Sequence, residues 1–215
     1  MNKIDVVYQR FEGIFAKVSD FVPEAKIHYD PFTSLVGVML SAQTRDEMTA
    51  KACEQLFAVA KTPHEILALT DDRLRELIRP VGMYNTKTKN LKKMCQQIIE
   101  TYNGQVPKTR QELMTLAGVG RKSTDIMMRF VYHEDAIAVD THVHRLVNRL
   151  GLFSSKSAND TADYLAENTA DKYKMNAHEW FINYGKYVCK ARSPDCDRCA
   201  FTDICDYFKN NDRGE

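Results

Sequence analysis

The sequence predicts an all-α fold, on three observations. Apolar residues recur at helical spacing along most of the chain, and capping signals start and stop those stretches. The single strand-like run, Ala136-Ile137-Ala138-Val139, is too short to found a sheet.

The helices follow in order. Ile4, Val7, Phe11, Ile14, Phe15 and Val18 share one helical face and predict an N-terminal helix. Asp30-Pro31 supplies an N-cap and a first-turn proline for a buried helix running through Leu40. Thr62-Pro63-His64-Glu65 combines a capping box with proline at the first helical position. Leu91, Met94, Cys95, Ile98, Ile99 and Tyr102 mark an amphipathic helix closed by Asn103-Gly104. A second capping box, Thr109-Arg110-Gln111-Glu112, opens a short helix ending at Leu116-Ala117-Gly118, and another helix begins near Arg121. Asp140-Thr141 caps a helix with Val143, Leu146, Val147 and Leu150 on its inner face, and Gly151 ends it. Asn176-Ala177-His178-Glu179 is read as the start of the last long helix, which carries Trp180, Phe181 and Tyr184. No low-complexity linker and no internal repeat interrupts the pattern, so any domain boundary is a packing boundary.

Composition narrows the function classes. With 215 residues, 44% hydrophobic and 27% charged, the chain has the makeup of a globular protein with a real core. No apolar run approaches the ~20 residues that cross a bilayer. The opening Met1-Asn2-Lys3-Ile4-Asp5 lacks the basic-then-apolar pattern of a signal peptide, so a cytoplasmic place, including the nucleoid, is expected. The net charge of +1 gives no global field that would gather nucleic acid. Any such affinity comes from local clusters: Lys87, Lys89, Lys92 and Lys93; Arg121 and Lys122; Lys186, Lys190, Arg192 and Arg198. The first of these reads equally well as a solvated helix face.

Between two predicted helices lies Ala117-Gly118-Val119-Gly120. Two glycines one residue apart permit a tight turn, which leaves backbone N–H groups unpaired at the start of the next helix. Those donors, with the helix dipole behind them, suit a phosphate oxygen, and Val119 can pin the turn to the core. A plain helix–turn–helix connection uses the same residues. Lys122 follows at once. A helix start and the neighbouring Arg121 both disfavour its ammonium form, and a neutral amine is what attack at a sugar C1′ requires. Asp140, in Val139-Asp140-Thr141-His142, offers a carboxylate to accept a proton or to stabilise oxocarbenium character as a base departs. From spacing alone, Lys122 also reads as a phosphate contact and Asp140 as an N-cap.

Six cysteines divide into two kinds. Cys53 and Cys95 sit inside apolar helical patterns and read as core. Cys189, Cys196, Cys199 and Cys205 crowd into the tail as C-x6-C-x2-C-x5-C, a metal site rather than disulfides in a reducing compartment. Four thiolates ligate zinc or an iron–sulfur cluster, and ligand number does not choose between them. A folded metal site would also fix a lobe carrying Lys190 and Arg192.

Five segments in this order resemble the endonuclease III family of the helix-hairpin-helix superfamily of DNA glycosylases. They are Leu40-Ser41-Ala42-Gln43, Val81-Gly82-Met83-Tyr84-Asn85, Leu116 to Lys122, Val139-Asp140-Thr141-His142, and the four cysteines. The resemblance implies two helical lobes with a DNA cleft between them: a helix-hairpin-helix barrel over residues 24–134, and a cluster domain from residues 1–23 and 135–215. It implies a 4Fe–4S cluster on the four cysteines, Lys122 as Schiff-base nucleophile and Asp140 as essential carboxylate. Gln43 and Met83 fall where the family inserts side chains at the vacated base, and His142 where the base pocket lies. Gly118, Val119, Gly120, Arg121, Lys190 and Arg192 complete the expected DNA contacts. The activity implied is a bifunctional DNA glycosylase/AP lyase on oxidised pyrimidines, acting as a monomer on duplex DNA with a damaged base or an abasic site. The alternatives are a monofunctional glycosylase using Asp140-activated water, a non-catalytic DNA-binding module, and a zinc-binding interaction protein. Departures from the family pattern are Ala117 in place of a proline, and Ser123-Thr124-Asp125 in place of Thr-Ala-Asn. Asp125 is expected to oppose Arg121 by placing a negative charge one turn from Lys122.

Overall fold

The computed structural model describes residues 2–16 and 30–211. They are helical, and no strand occurs among them, so the predicted all-α class holds. Two compact units are present, residues 25–134, and residues 135–215 together with 1–24. Val18 and the boundary expected near residue 24 lie outside the described residues.

One unit is built by the N-terminal α1 (Lys3–Phe15) and by segments that follow residue 134. The other holds α2 (Pro31–Ser41), α3 (Asp46–Phe57), α4 (Pro63–Ala68), α5 (Asp71–Leu77), α6 (Tyr84–Tyr102), α7 (Arg110–Leu113) and α8 (Arg121–Phe130). In this second unit α2 is the axis. Its buried Phe32, Leu35, Val36, Val38, Met39 and Leu40 leave no solvated face, as a central helix requires. Asp30 caps it through Thr33 N–H at 2.8 Å, with Pro31 in the first turn. α3, α6 and α8 pack around it, α4 and α5 lie on α6, and α7 lies on α8.

Local signals largely decide where these helices begin and end. Thr62 and Glu65 form the reciprocal box expected of them. At Thr109 only half the box forms: its hydroxyl accepts from Glu112 N–H, but the Glu112 carboxylate takes that hydroxyl at 2.7 Å instead of a backbone N–H. α6 ends where Asn103 (φ 53°) and Gly104 (φ 78°) turn left-handed.

The remaining helices are α9 (Thr141–Leu150), α10 (Ala158–Asn168), α11 (Asp171–Tyr187) and α12 (Asp206–Asn211). Phe11 of α1 is the hub of their core. Its ring lies 5.1 Å from Phe181, 5.3 Å from Tyr184 and 5.1 Å from Phe201, all edge-on. Tyr8 stacks on Tyr173 at 4.9 Å and bonds Thr169 Oγ1. α11 starts at Asp171 rather than near Asn176, because Tyr173 extends its buried face by a turn while Ala170 offers no side-chain cap to mark the start. Ala136 to Val139 are buried and extended but pair with no strand; His178 Nδ1 lies 3.1 Å from Ala138 O. Among the described residues no helix is long and apolar enough to cross a membrane.

Candidate active site

The segment between α7 and α8 forms the expected hairpin. Gly118 has φ +79°, and a Cβ there would meet Asn90 Cβ at 3.0 Å, so both conformation and space call for glycine. Val119 is buried and pins the turn. Gly120 needs no positive φ; it is extended, and nothing lies within 4 Å of where its Cβ would be. That open space lets another molecule approach the backbone. α8 starts without a side-chain cap, and its first backbone bond is Thr124 N–H to Gly120 O. The N–H groups of Lys122 and Ser123 therefore meet no acceptor among the described residues. Lys122 is exposed and makes no hydrogen bond or ion pair among those residues.

Asp125 does not face Lys122 as an unpaired charge. It is 2% exposed and pairs with Arg121 Nε at 3.0 Å and with Arg110 of α7. The expected opposition between Arg121 and Asp125 is thus a contact: the two charges compensate each other and, with Arg110, tie α7 to α8 beneath the hairpin. The lysine cluster of α6 also divides. Lys87 is buried and Lys92 reaches Leu69 O and Asp71, while Lys89 and Lys93 stay exposed.

Asp140 caps α9, as expected. One carboxylate oxygen, Oδ1, takes both the His142 N–H at 2.8 Å and the Val143 N–H at 2.9 Å. The other oxygen accepts nothing among the described residues. His142 is half-buried, its Nδ1 lying 3.3 Å from Arg145. Two residues that sequence reasoning passed over set this helix end in place. A Cβ on Gly185 would fall 2.8 Å from His142 O, so α11 closes on the first turn of α9 only with glycine there. Arg145 donates to Gly185 O at 2.6 Å and, through Nη2, to Cys189 O at 2.8 Å. Arg145 did leave a signal, an arginine pair with Arg149 one helical turn apart in α9.

Gln43 and Met83 share an unusual backbone. Both are non-glycine residues with φ 53°, and both are exposed, Met83 by 53%. Left-handed backbone at such residues persists only where the surroundings hold it.

The four tail cysteines carry no disulfide. Burial and then the neighbouring Cys199, Cys189 and Cys205 push the Cys196 thiol up, which places four sulfurs in one electrostatic neighbourhood. Donors face them: Arg149 Nη1 lies 3.6 Å from Cys189 Sγ, and Tyr184 Oη 3.4 Å from Cys199 Sγ. Arg149 also donates to Lys190 O and Ala191 O, holding the loop between the first two cysteines. No three of the described Cys, His, Asp or Glu side chains are gathered tightly enough to ligate a metal ion as they stand. Lys190 and Arg192 are exposed on that loop.

With the geometry in hand, likeness to known proteins becomes informative. Residues 36–171 match the model of the HhH-GPD superfamily of base excision DNA repair proteins. The chain is 39% identical to endonuclease III of Haemophilus influenzae over 186 residues, 86% of this chain and 88% of that one. A non-covalent endonuclease III–DNA complex superposes with a TM-score of 0.88 at 34% identity, over 99% of both chains. A trapped endonuclease III–DNA covalent intermediate, an estranged-adenine complex, superposes with a TM-score of 0.88 at 33% identity, over 99% of this chain and 100% of that one.

Proposed function

Since the chain belongs to the HhH-GPD superfamily of base excision DNA repair proteins, we infer that it is a bifunctional DNA N-glycosylase and AP lyase that excises oxidised pyrimidines from duplex DNA. The observation that carries this reading is Lys122, an exposed amine in the first turn of α8 with no internal partner among the described residues. Exposure alone is ordinary for a lysine; its place at a helix start without a side-chain cap, directly after the hairpin, is what sets this one apart.

The chemistry follows from the groups present. The damaged nucleotide leaves the stack, and Gln43 and Met83, already exposed on fixed backbone, fill the vacancy. Lys122 Nζ attacks C1′ as the glycosidic bond breaks, and the base leaves as an anion that takes its proton from water. The free oxygen of Asp140 stabilises positive charge developing on the sugar and takes up the proton that the amine sheds. Asp140 passes that proton to O4′ as the C1′–O4′ bond breaks, and the sugar ring opens to an iminium on Lys122. Loss of a proton from C2′ then expels the 3′ phosphate, and water releases the enzyme. The unmet N–H groups at the start of α8, the open backbone at Gly120, the turn at Gly118 and Val119, and Lys190 and Arg192 hold phosphates. Such contacts read no sequence and weaken steeply with salt. Arg121 adds its backbone to this set, its guanidinium being occupied by Asp125. His142 borders the base.

Cys189, Cys196, Cys199 and Cys205 would hold a 4Fe–4S cluster. The fit rests on four thiols in one neighbourhood, faced by Arg149 and Tyr184 as donors to sulfur. When bound, the cluster supplies a structural crosslink, fixing the loop that carries Lys190 and Arg192. The protein acts as a monomer on nucleoid DNA.

Borohydride trapping on duplex DNA containing an oxidised pyrimidine tests the reading. Wild type forms a covalent adduct and Lys122→Ala forms none. An adduct with both proteins refutes the role of Lys122. Base release without an adduct in either favours the monofunctional route, in which Asp140 activates water.

A further inference from the structure

Lys87 lies one turn into α6, 5% exposed, yet no carboxylate pairs with it among the described residues. All three of its ammonium protons are used. Nζ donates to Leu40 O at 2.7 Å, to Ala42 O at 2.7 Å and to Thr44 Oγ1 at 2.9 Å. Two of these acceptors are carbonyls at the C-terminal end of α2, which lack helical partners and favour a cation. Thr44 Oγ1 in turn accepts the Gly82 N–H at 3.2 Å. The two segments also meet backbone to backbone, since a Cβ on Gly82 would stand 3.2 Å from Gln43 O.

Gln43 sits between Ala42 and Thr44, and Met83 follows Gly82. The two left-handed, exposed residues are thus held by one circuit that runs from the end of α2 through Lys87 and Thr44 to the start of α6. We propose that Lys87 is a positioning residue that locks the Gln43 turn and the Met83 turn into a single rigid insertion platform. The proposal rests on the reading of Gln43 and Met83 as the side chains that enter the duplex. Burial lowers the lysine's proton affinity; the three acceptors offset that cost, and a buried cation without a counter-ion is retained because it ties two loops by their carbonyls. Insertion from a rigid platform needs no ordering of the loops during base eversion, so Lys87 acts on the step that opens the duplex, not on attack at C1′.

The test compares Lys87→Met, Thr44→Val, Gln43→Ala and Met83→Ala with wild type on two substrates. One is a base-paired lesion flanked by 2-aminopurine, whose fluorescence reports unstacking; the other is an abasic site in a single strand, which needs no eversion. Lys87→Met is expected to slow base release from the paired lesion about 30-fold, within what ångström-scale misplacement costs. It should lower the 2-aminopurine signal, leave borohydride trapping at the single-stranded abasic site within about threefold, and speed hydrogen exchange at the Gly82 amide. Thr44→Val, which uncovers no buried charge, should move the same readouts in the same direction by less and remains informative should Lys87→Met not fold. Equal losses on both substrates would mean a merely structural role and overturn the proposal. If Gln43→Ala and Met83→Ala lose the fluorescence change while Lys87→Met and Thr44→Val keep it, the positioning role fails and insertion stands. If Gln43→Ala and Met83→Ala keep it, insertion itself fails and the proposal with it.

Discussion

The two helices that carry Lys122 and Asp140, the groups to which the proposed mechanism assigns the chemistry, start in opposite ways. α9 begins under a carboxylate, with Asp140 Oδ1 closing the N–H groups of His142 and Val143. α8 begins bare, because Gly120 has no side chain to cap with and the next N–H groups meet no acceptor among the described residues. A helix start carries about half a positive charge, and either a side chain or a bound anion can satisfy it. One end is completed by the protein and uses half of its reactive group to do so. The other is left open, and in the proposed mechanism a phosphate of the substrate completes it.

The strongest way to break this comparison is at Lys122. Lys122→Ala should lower strand cleavage by at least about 10³-fold, as loss of a nucleophile does, while leaving the melting temperature unchanged; a parallel loss of stability would show that the bare end is structural. Asp140 separates cap from chemistry. Asparagine keeps a capping oxygen, so Asp140→Asn should cost little stability yet slow base release about 10²- to 10⁴-fold. Asp140→Ala should lose as much activity and about 1 kcal/mol of stability besides, measured by thermal melts. If Asp140→Asn retains full activity, the carboxylate is only a cap.

The hairpin glycines sharpen the contrast. Gly118→Ala should destabilise by about 1–2 kcal/mol, because φ is +79° and Asn90 blocks the new Cβ. Gly120→Ala meets no protein atom, so it should leave stability intact and weaken binding to undamaged duplex, read by a salt titration of the dissociation constant. The smallest effect concerns the anchorage of the tail. The Arg10 guanidinium holds the Asp203 carboxyl at about 2, below its usual 3.8. A depressed carboxyl contributes stability above the ordinary value that is lost as pH falls through the lowered one. The difference in melting temperature between wild type and Asp203→Asn should therefore shrink between pH 3.8 and about 2, and hydrogen exchange should rise in α1 and α12 but not in α8.

What the sequence disclosed and what it hid follow from how far apart the partners lie. Asp30, Thr62 and Asp140 act within three residues of themselves and Asn103 within five, and each was legible. The Gly118 turn was legible for the same reason, its meaning lying in the close spacing of two glycines. Lys87 was read with its neighbours as either a nucleic-acid contact or a solvated helix face, and its burial was hidden because its acceptors lie 43 to 47 residues upstream. Asp125 was misread because Arg110, from another helix, completes its pairing. The early start of α11 was hidden because Ala170 marks no boundary chemically. Gly185 could not be read at all, since its purpose is the carbonyl of His142 on a different helix.

The placement of Phe11 bears on how the chain is made. Its ring partners Phe181, Tyr184 and Phe201 are translated 170 to 190 residues after it. At cellular rates of about 5–20 residues per second, the interval between Phe11 and Phe181 lasts roughly 10 to 30 s. For most of it, the rings of Tyr8 and Phe11 lack their partners from α11, while α2 to α8 can already settle around their own axis. A nascent chain of this kind offers chaperones a defined client segment in α1, and the arrival of α11, synthesised much later, releases it.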